Sequence, residues 1–580
     1  MSPISITRRE AMSLAVSATV AAGAFTSYEA NAAAAAIKSV PTQLDRFIRG
    51  YMTAMDAPGL ALGVTSGQGT VHAVEYGYTD LAAKIPVAAG QLFEIGSISK
   101  SFVGVLLLQL HQEGKLDLHR PILHYLPWLA METAYGEVTV HHLLTHTSGM
   151  PGDAPVFPVI PGTRPRQSFA PGTRFHYSNW GYSVLGYLVE KLDGRSWSTA
   201  LTQRILAPLG MTATVPLITS ANRPRLAQSY APLQDDRPYL RHGALAPAGK
   251  LTVTTAAGCI ASTSGDMAIY MRMLLNRGAG PSSRILSQES FKLFTTPHIA
   301  ADEFGPGAGY GYGIAIDQLD GHTRLRHTGG MASFMSALQI DMDAGFGAFA
   351  SINAQLGYRP NPVTQFALQL LRARQERKAV PAPPPFDEAD VVTNPEQYAG
   401  TYTASSGRRL EVRATTDRLA LRVDGKDVRL QQSGADEFIA DHPAFALFPL
   451  VFGRAAKAEG EAASDDSPAE IIDLSYGSDW YAHPRHPGDA APASSAELAA
   501  YVGHYYAESP WSDNVRVVLR RGQLWFNGAV PLVPCGDRLF RIGTEDWSPE
   551  TAEFFNVVDG KAQALSFAGV QLSRIPEEPL

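Results

Sequence analysis

Two hydrophobic periods divide this chain. Between residues 102 and 110 the apolar positions Phe102, Val103, Val105, Leu106, Leu107, Leu108 and Leu110 crowd together and read as a buried helix. Far downstream the period becomes two. Leu419, Leu421 and Val423 alternate with other residues and end at Asp424-Gly425; Leu524 and Phe526 do the same and end at Asn527-Gly528. Alternation closed by Asp-Gly or Asn-Gly is a strong hairpin signal. These hairpins sit inside an internal repeat, for Tyr398-Ala399-Gly400-Thr401-Tyr402 recurs 103 positions later as Tyr501-Val502-Gly503-His504-Tyr505. The repeat predicts two β-rich units, each a small antiparallel barrel of lipocalin-like character.

Breakers set the boundaries. Val380-Pro381-Ala382-Pro383-Pro384-Pro385 reads as a stiff linker, and His483 to Ser495 as a second break. The expected organisation is an export signal over 1–32, a main domain over 38–378, a linker over 379–392, and barrels over 393–483 and 496–580. Residues 454–468, rich in Ala, Glu, Asp and Ser, read as a flexible loop of the first barrel.

The N-terminus supports the first of these boundaries. Thr7-Arg8-Arg9 precedes the small-residue apolar stretch Ala11 to Phe25, and Ala30-Asn31-Ala32 fits A-x-A cleavage. Paired arginines suggest the twin-arginine route, although Ala11 stands where a bulky apolar residue is usual; an ordinary secretory signal is the alternative. Either places the mature protein outside the cytoplasm, periplasmic or secreted. The stretch is too short and alanine-rich to hold as a membrane span, and no later segment has the length for one. At 580 residues and a formal charge of −7, the chain has room for several domains and no electrostatic reason to bind nucleic acid. Cys259 and Cys535 fall in separate domains and are expected to be free, buried thiols.

Chemistry concentrates in three motifs: Ser97-Ile98-Ser99-Lys100, Tyr177-Ser178-Asn179 and His327-Thr328-Gly329-Gly330. They supply a nucleophile, a cationic partner, a phenol, an amide and a glycine-rich strand edge, the parts an acyl-transfer enzyme needs. If Ser97 opens the buried helix, Lys100 lies one turn on, because positions i and i+3 share a face. Burial there would depress the lysine's proton affinity and make it a base. Alternatively Lys100 stays charged and lowers the pKa of Tyr177; the residues leave both open. His142 and His146 are four apart, but no H-E-x-x-H pattern accompanies them, so capping and packing explain them better than a metal.

With these motifs in this order, the chain resembles the penicillin-recognising serine hydrolases: class C β-lactamases, D-Ala-D-Ala carboxypeptidases, D-aminopeptidases and related esterases. Flanking segments extend the resemblance over roughly residues 40 to 375: His142 to Gly149, the helix Trp180 to Gly194, Gly258 to Asp266, and Tyr310-Gly311-Tyr312-Gly313. It implies an α+β (α/β) β-lactamase/transpeptidase-like catalytic domain, an antiparallel sheet flanked by helices plus an all-helical subdomain, followed here by the two barrels. A catalytic domain with two such barrels is similar to the D-aminopeptidases.

The resemblance also implies roles. Ser97 attacks a carbonyl, Lys100 and Tyr177 move the proton, and the N–H groups of Ser97 and Gly330 form the oxyanion hole. Asn179 binds the substrate amide. His327 orients the proton network or meets a polar substrate group; being charged only part of the time near neutral pH, it makes a weak partner for a substrate carboxylate. No metal or organic cofactor is implied. The expected partner is a small peptide or ester, with peptidase or amidase action on linear peptides, D-residues among them, ahead of a carboxylesterase, a β-lactamase or D-Ala-D-Ala carboxypeptidase, or a non-catalytic binder. Pocket walls are expected from Pro151 to Arg166 and Ala231 to Lys250. The barrels either stabilise the protein or join copies of it into an oligomer, or they shape the substrate mouth.

Overall fold

A computed structural model describes residues 42–576, apart from 158–163, 356, 387–390, 456–468, 489–495 and 510–513. The expected signal segment, residues 387–390 of the expected linker and nearly all of the 454–468 loop lie outside the described residues. The first domain is α+β. Its nine-stranded antiparallel sheet runs, in spatial order, Ile85–Pro86, Thr70–Asp80, Gly59–Ser66, Phe346–Ile352, Phe334–Asp341, His322–Met331, Ala315–Leu319, Gly309–Tyr310 and Ile299–Ala300.

Both faces of the central strands are buried, which is why Gly59–Ser66 and Phe346–Ile352 read as continuous apolar runs and not as alternating ones. On one face, helix 42–55 and helix Asn361–Gln375 pack Leu44, Ile48, Val363 and Leu370 against Leu60, Leu62 and Ile352. The helical subdomain covers the other face. At its centre is helix Ser99–Gln112, whose residues from Ser99 to Leu108 are all buried. The apolar run therefore forms the buried helix its composition predicts. Ser97 does not open that helix but sits just before it, in a 3-10 turn over Gly96–Ile98.

Each barrel closes on itself with eight antiparallel strands, the first spanning Gly400 to Ala482 and the second Gly503 to Ile575. The repeated tyrosine motif encodes the same corner in both. Tyr402 Oη donates to the carbonyl of Tyr398 (2.7 Å), and Tyr505 Oη to that of Tyr501 (2.8 Å). The hairpin turns form where expected, with Asp424 and Asn527 held at φ of 47° and 49°. The barrels meet at the buried Arg520, which donates to the carbonyls of Gly477 in the first and Gly528 in the second, 2.9 Å each. Among the described residues no helix is long and apolar enough to cross a membrane. The cysteines are free, but only Cys259 is buried; Cys535 is exposed, because it lies at the break in register between Pro534 and Gly536 of the strand Val530–Gly536, outside the regular ladder.

Candidate active site

The three motifs, spread over more than 200 residues, converge at the N-terminal end of the buried helix. Lys100 lies one turn beyond Ser97, as the i, i+3 spacing requires. Its Nζ is 3.1 Å from Ser97 Oγ, 2.7 Å from Asn179 Oδ1 and 2.9 Å from the Ala257 carbonyl. The side chain is fully buried, and desolvation pulls its pKa down to about 7 against the opposing pull of Asp153. Asn179 Oδ1 and the Ala257 carbonyl can only accept. A neutral Lys100 spends its two N–H bonds on them and turns its lone pair toward the Ser97 hydroxyl, which can donate.

Tyr177 comes from the loop before helix Asn179–Asp193, where Ser178 caps the helix through Gly181 N (3.1 Å). The Tyr177 ring lies 4.8 Å from Lys100 Nζ. Its buried Oη makes no hydrogen bond of good geometry among the described residues, and burial raises its pKa well above the usual phenol value. The phenol is therefore held protonated.

His327 departs from expectation. It is buried on strand His322–Met331, with Nδ1 2.6 Å from the Thr328 carbonyl and Nε2 3.0 Å from Tyr310 Oη. The carbonyl only accepts, so Nδ1 carries the proton and Nε2 accepts from the phenol. Burial, then the field of Lys100, push its pKa down to about 3. His327 is thus neutral at physiological pH, not partly charged, and both ring nitrogens serve the protein, leaving none to meet a substrate.

The glycines after it have a steric reason. A Cβ on Gly329 would fall 1.9 Å from the carbonyl oxygen of Ile95, so only glycine lets this strand lie against the Ser97 turn. Its outer neighbour, Ala315–Leu319, stops pairing at Arg326, which leaves the edge from His327 onward unpaired on that side. Gly330 and Ser97 line the same cavity there. Asn179 also differs from its expected role. Its Oδ1 faces Lys100, and its Nδ2 donates to Asp153 Oδ2 (3.3 Å), so both ends of the amide are engaged within the protein.

Two functional candidates, Asp153 and Glu550, escaped the sequence, and a third, His146, fills the packing role expected of it at a catalytic position. His146, at φ 58°, accepts from Ser178 N through Nδ1 (2.9 Å), and its ring lies 4.2 Å from that of Tyr177. It braces the phenol. His142, by contrast, caps its own helix by accepting from Thr139 N (3.2 Å), as capping predicts. Asp153 faces the cleft from a loop with no motif. Glu550 belongs to the second barrel; its Oε1 accepts from Gly152 N (2.7 Å) and His176 Nε2 (2.9 Å), residues adjacent to Asp153 and Tyr177. The Gly152 carbonyl in turn accepts from Asn179 N (2.7 Å). No local signal could have revealed Glu550, because its partners lie in another domain.

The cleft has a volume of about 780 Å³. Asp153 to Phe157 form one wall, as expected of the Pro151–Arg166 loop, but the opposite wall is Val253 to Gly258 and not Ala231 to Lys250. The latter stretch forms the hairpin Tyr230–Pro232/Leu245–Pro247, and its residues 235–241 face a different cavity, at the junction with the barrels. Ala568 and Val570 of the second barrel complete the mouth.

A family model described as Beta-lactamase matches residues 44–373. Penicillin-binding protein 4 of Amycolatopsis lactamdurans is 29% identical over 384 residues, covering 60% of this chain and 94% of that protein. Protein Rv1367c of Mycobacterium tuberculosis is 28% identical over 304 residues, covering 45% of this chain and 75% of its own. Among solved structures, the octameric penicillin-binding protein homologue from Pyrococcus abyssi shares the fold with a TM-score of 0.54 at 24% identity, over 76% of this chain and 99% of that one.

Proposed function

Because the chain belongs to the beta-lactamase family, whose members are serine hydrolases, we propose that it is an exported peptidase or amidase that forms an acyl-enzyme on Ser97 and acts on small linear peptides, D-residues among them. The observation that carries this reading is the buried Lys100, set 3.1 Å from Ser97 Oγ with its other contacts made to acceptors.

In this mechanism neutral Lys100 takes the Ser97 proton as Oγ attacks the carbonyl. Tyr177, kept protonated by burial, passes a proton to the leaving nitrogen and recovers one from Lys100. The N–H groups of Ser97 and Gly330 hold the oxyanion; removing one such donor typically costs about a hundredfold to a thousandfold in rate. His327 orients Tyr310 and, through neutrality, leaves the field at Lys100 undisturbed. Water then releases the acyl group.

Among the described residues no lysine or arginine lines the cleft, and His327 is neutral. A β-lactam or D-Ala-D-Ala substrate carries a carboxylate beside the scissile bond, and that carboxylate meets no cation here. This argues for amide substrates without one. The second reading is a carboxylesterase, favoured by the largely apolar walls, among them Val156, Leu217, Val253 and Val570.

The test compares wild type with Ser97→Ala on D- and L-aminoacyl anilides and on a short acyl ester. Anilide cleavage abolished in the variant is expected. Ester cleavage far exceeding any anilide cleavage would establish the second reading, and turnover surviving in Ser97→Ala would end both.

A further inference from the structure

The cleft holds a carboxylate that the proposed chemistry leaves unused. Asp153 stands three hydrogen bonds from Ser97 Oγ, through Asn179 and Lys100. It is open to solvent from the cleft while protein crowds most of its surroundings. Among the described residues it forms no ion pair, and its one side-chain hydrogen bond is the long 3.3 Å contact from Asn179 Nδ2. Glu190, the other acidic residue lining the cleft, has already turned its Oε1 to Trp197 N (2.9 Å).

The same cleft carries an aromatic cluster that packing does not explain. Trp128, Phe157 and Tyr187 are 46%, 58% and 36% exposed, yet their ring centroids lie 5.2 to 5.8 Å apart. Phe157 and Tyr187 line the cleft, and Trp128 backs them. Large rings left together in water at the rim of a cavity mark a binding surface. A carboxylate that forms no ion pair, sharing with an aromatic shelf a cleft whose lining among the described residues includes no lysine or arginine, is complementary to one kind of ligand: an ammonium attached to a bulky apolar group.

Resting on the hydrolase reading above, we propose that Asp153 anchors the free α-ammonium of the residue whose carbonyl Ser97 attacks, while the Trp128–Phe157–Tyr187 shelf receives a large apolar side chain. The short path from Asp153 to Ser97 places the ammonium on the acyl residue itself and not on a distant part of the peptide. The arrangement also links recognition to chemistry. The Asp153 charge favours protonated Lys100. An ammonium seated on Asp153 cancels that field and favours the neutral base, so an amine-bearing substrate helps to switch on the group that activates Ser97.

The experiment measures kcat/KM against pH for wild type and Asp153→Asn, using phenylalanyl p-nitroanilide and its N-acetylated form. In parallel, binding of phenylalaninamide to Ser97→Ala and to Ser97→Ala/Asp153→Asn is measured by calorimetry. The expected result is a loss of about tenfold to a hundredfold on the free-amine substrate, the scale of a hydrogen bond to a charged group, with a far smaller loss on the acetylated one. The acid limb of the profile moves to lower pH in Asp153→Asn, an effect that a merely structural aspartate would not produce. Phenylalaninamide binding weakens by a similar factor. Phe157→Ala is expected to raise KM for phenylalanyl more than for alanyl substrates. Equal losses on both anilides with an unmoved acid limb, or binding indifferent to Asp153, overturn the proposal. Binding is read without turnover, so a failure of the hydrolase reading stays distinguishable from a failure of this one.

Discussion

The two barrels share strand number, closure, tyrosine corner and hairpin turns, yet they touch different things. The informative contrast is the connection between the fifth and sixth strands of each. In the first barrel this is residues 441–449, between Glu437–Ala440 and Leu450–Arg454, and its Phe448 docks on the second barrel, where a Cβ on Gly528 would fall 2.7 Å from the ring. In the second it is residues 543–550, between Leu539–Ile542 and Thr551–Val558. Its Trp547 carbonyl accepts from Ser168 Oγ (2.7 Å), Arg174 lies over the Trp547 ring, and Glu550 holds Gly152 and His176. One topological position thus serves first to join barrel to barrel and then to join barrel to catalytic domain. Here the connection carries much of the assignment, because a connection can change its side chains without disturbing the ladder.

The largest expected effect breaks this contrast directly. Glu550→Ala frees the loops carrying Asp153 and Tyr177 and lowers kcat/KM by about tenfold to a hundredfold, since small misplacements of positioned groups are costly. Gln431→Ala, which removes the first barrel's contact with Arg241 N (2.9 Å), leaves kcat/KM within about twofold, that contact being a single part-buried hydrogen bond remote from Ser97. Steady-state kinetics decides, and equal losses would mean that both barrels serve only stability. Glu550→Gln, which keeps an acceptor for Gly152 N, should recover much of the activity.

The pH profile sharpens the same comparison. Below about pH 7 Lys100 takes up a proton and can no longer accept that of Ser97, so kcat/KM falls as pH drops through this value. Loosening the Asp153 loop by Glu550→Ala removes a field that favours the charged lysine, and the limb moves to lower pH. Gln431→Ala should leave it in place.

Smaller effects concern stability. Arg520→Ala leaves two carbonyls at the barrel junction without a donor and should cost roughly 1–3 kcal/mol, read by denaturant titration. Tyr402→Phe and Tyr505→Phe should each cost about 1 kcal/mol. The second should cost slightly more, because Tyr505 Oη also accepts from Arg574 Nη2 (2.9 Å). Identical values would show that Arg574 contributes nothing there.

Much of this was legible along the chain wherever the cause was local. Ser97 and Lys100 meet because they are one turn apart. The hairpins close because Asp424 and Asn527 tolerate the left-handed region, and the repeated tyrosine finds a carbonyl four residues back. What escaped depended on burial or docking. His327 looks titratable until Tyr310 and Thr328 enclose it. Asn179 looks available to substrate until Lys100 and Asp153 take both ends of its amide. Cys535 has the composition of a buried thiol and the position of a break in strand register.

By itself, then, the sequence determined the kind of chemistry and the kinds of element: a nucleophile one helical turn from an amine, a glycine edge narrow enough to lie against it, and two copies of one barrel. These rest on covalent spacing and short-range geometry. The protonation of Lys100 and His327, the exposure of Asp153 and the hold of Glu550 on Gly152 and His176 were decided only in the tertiary structure. Desolvation and docking depend on which distant surfaces come together, and nothing within a few residues of any of these positions encodes that.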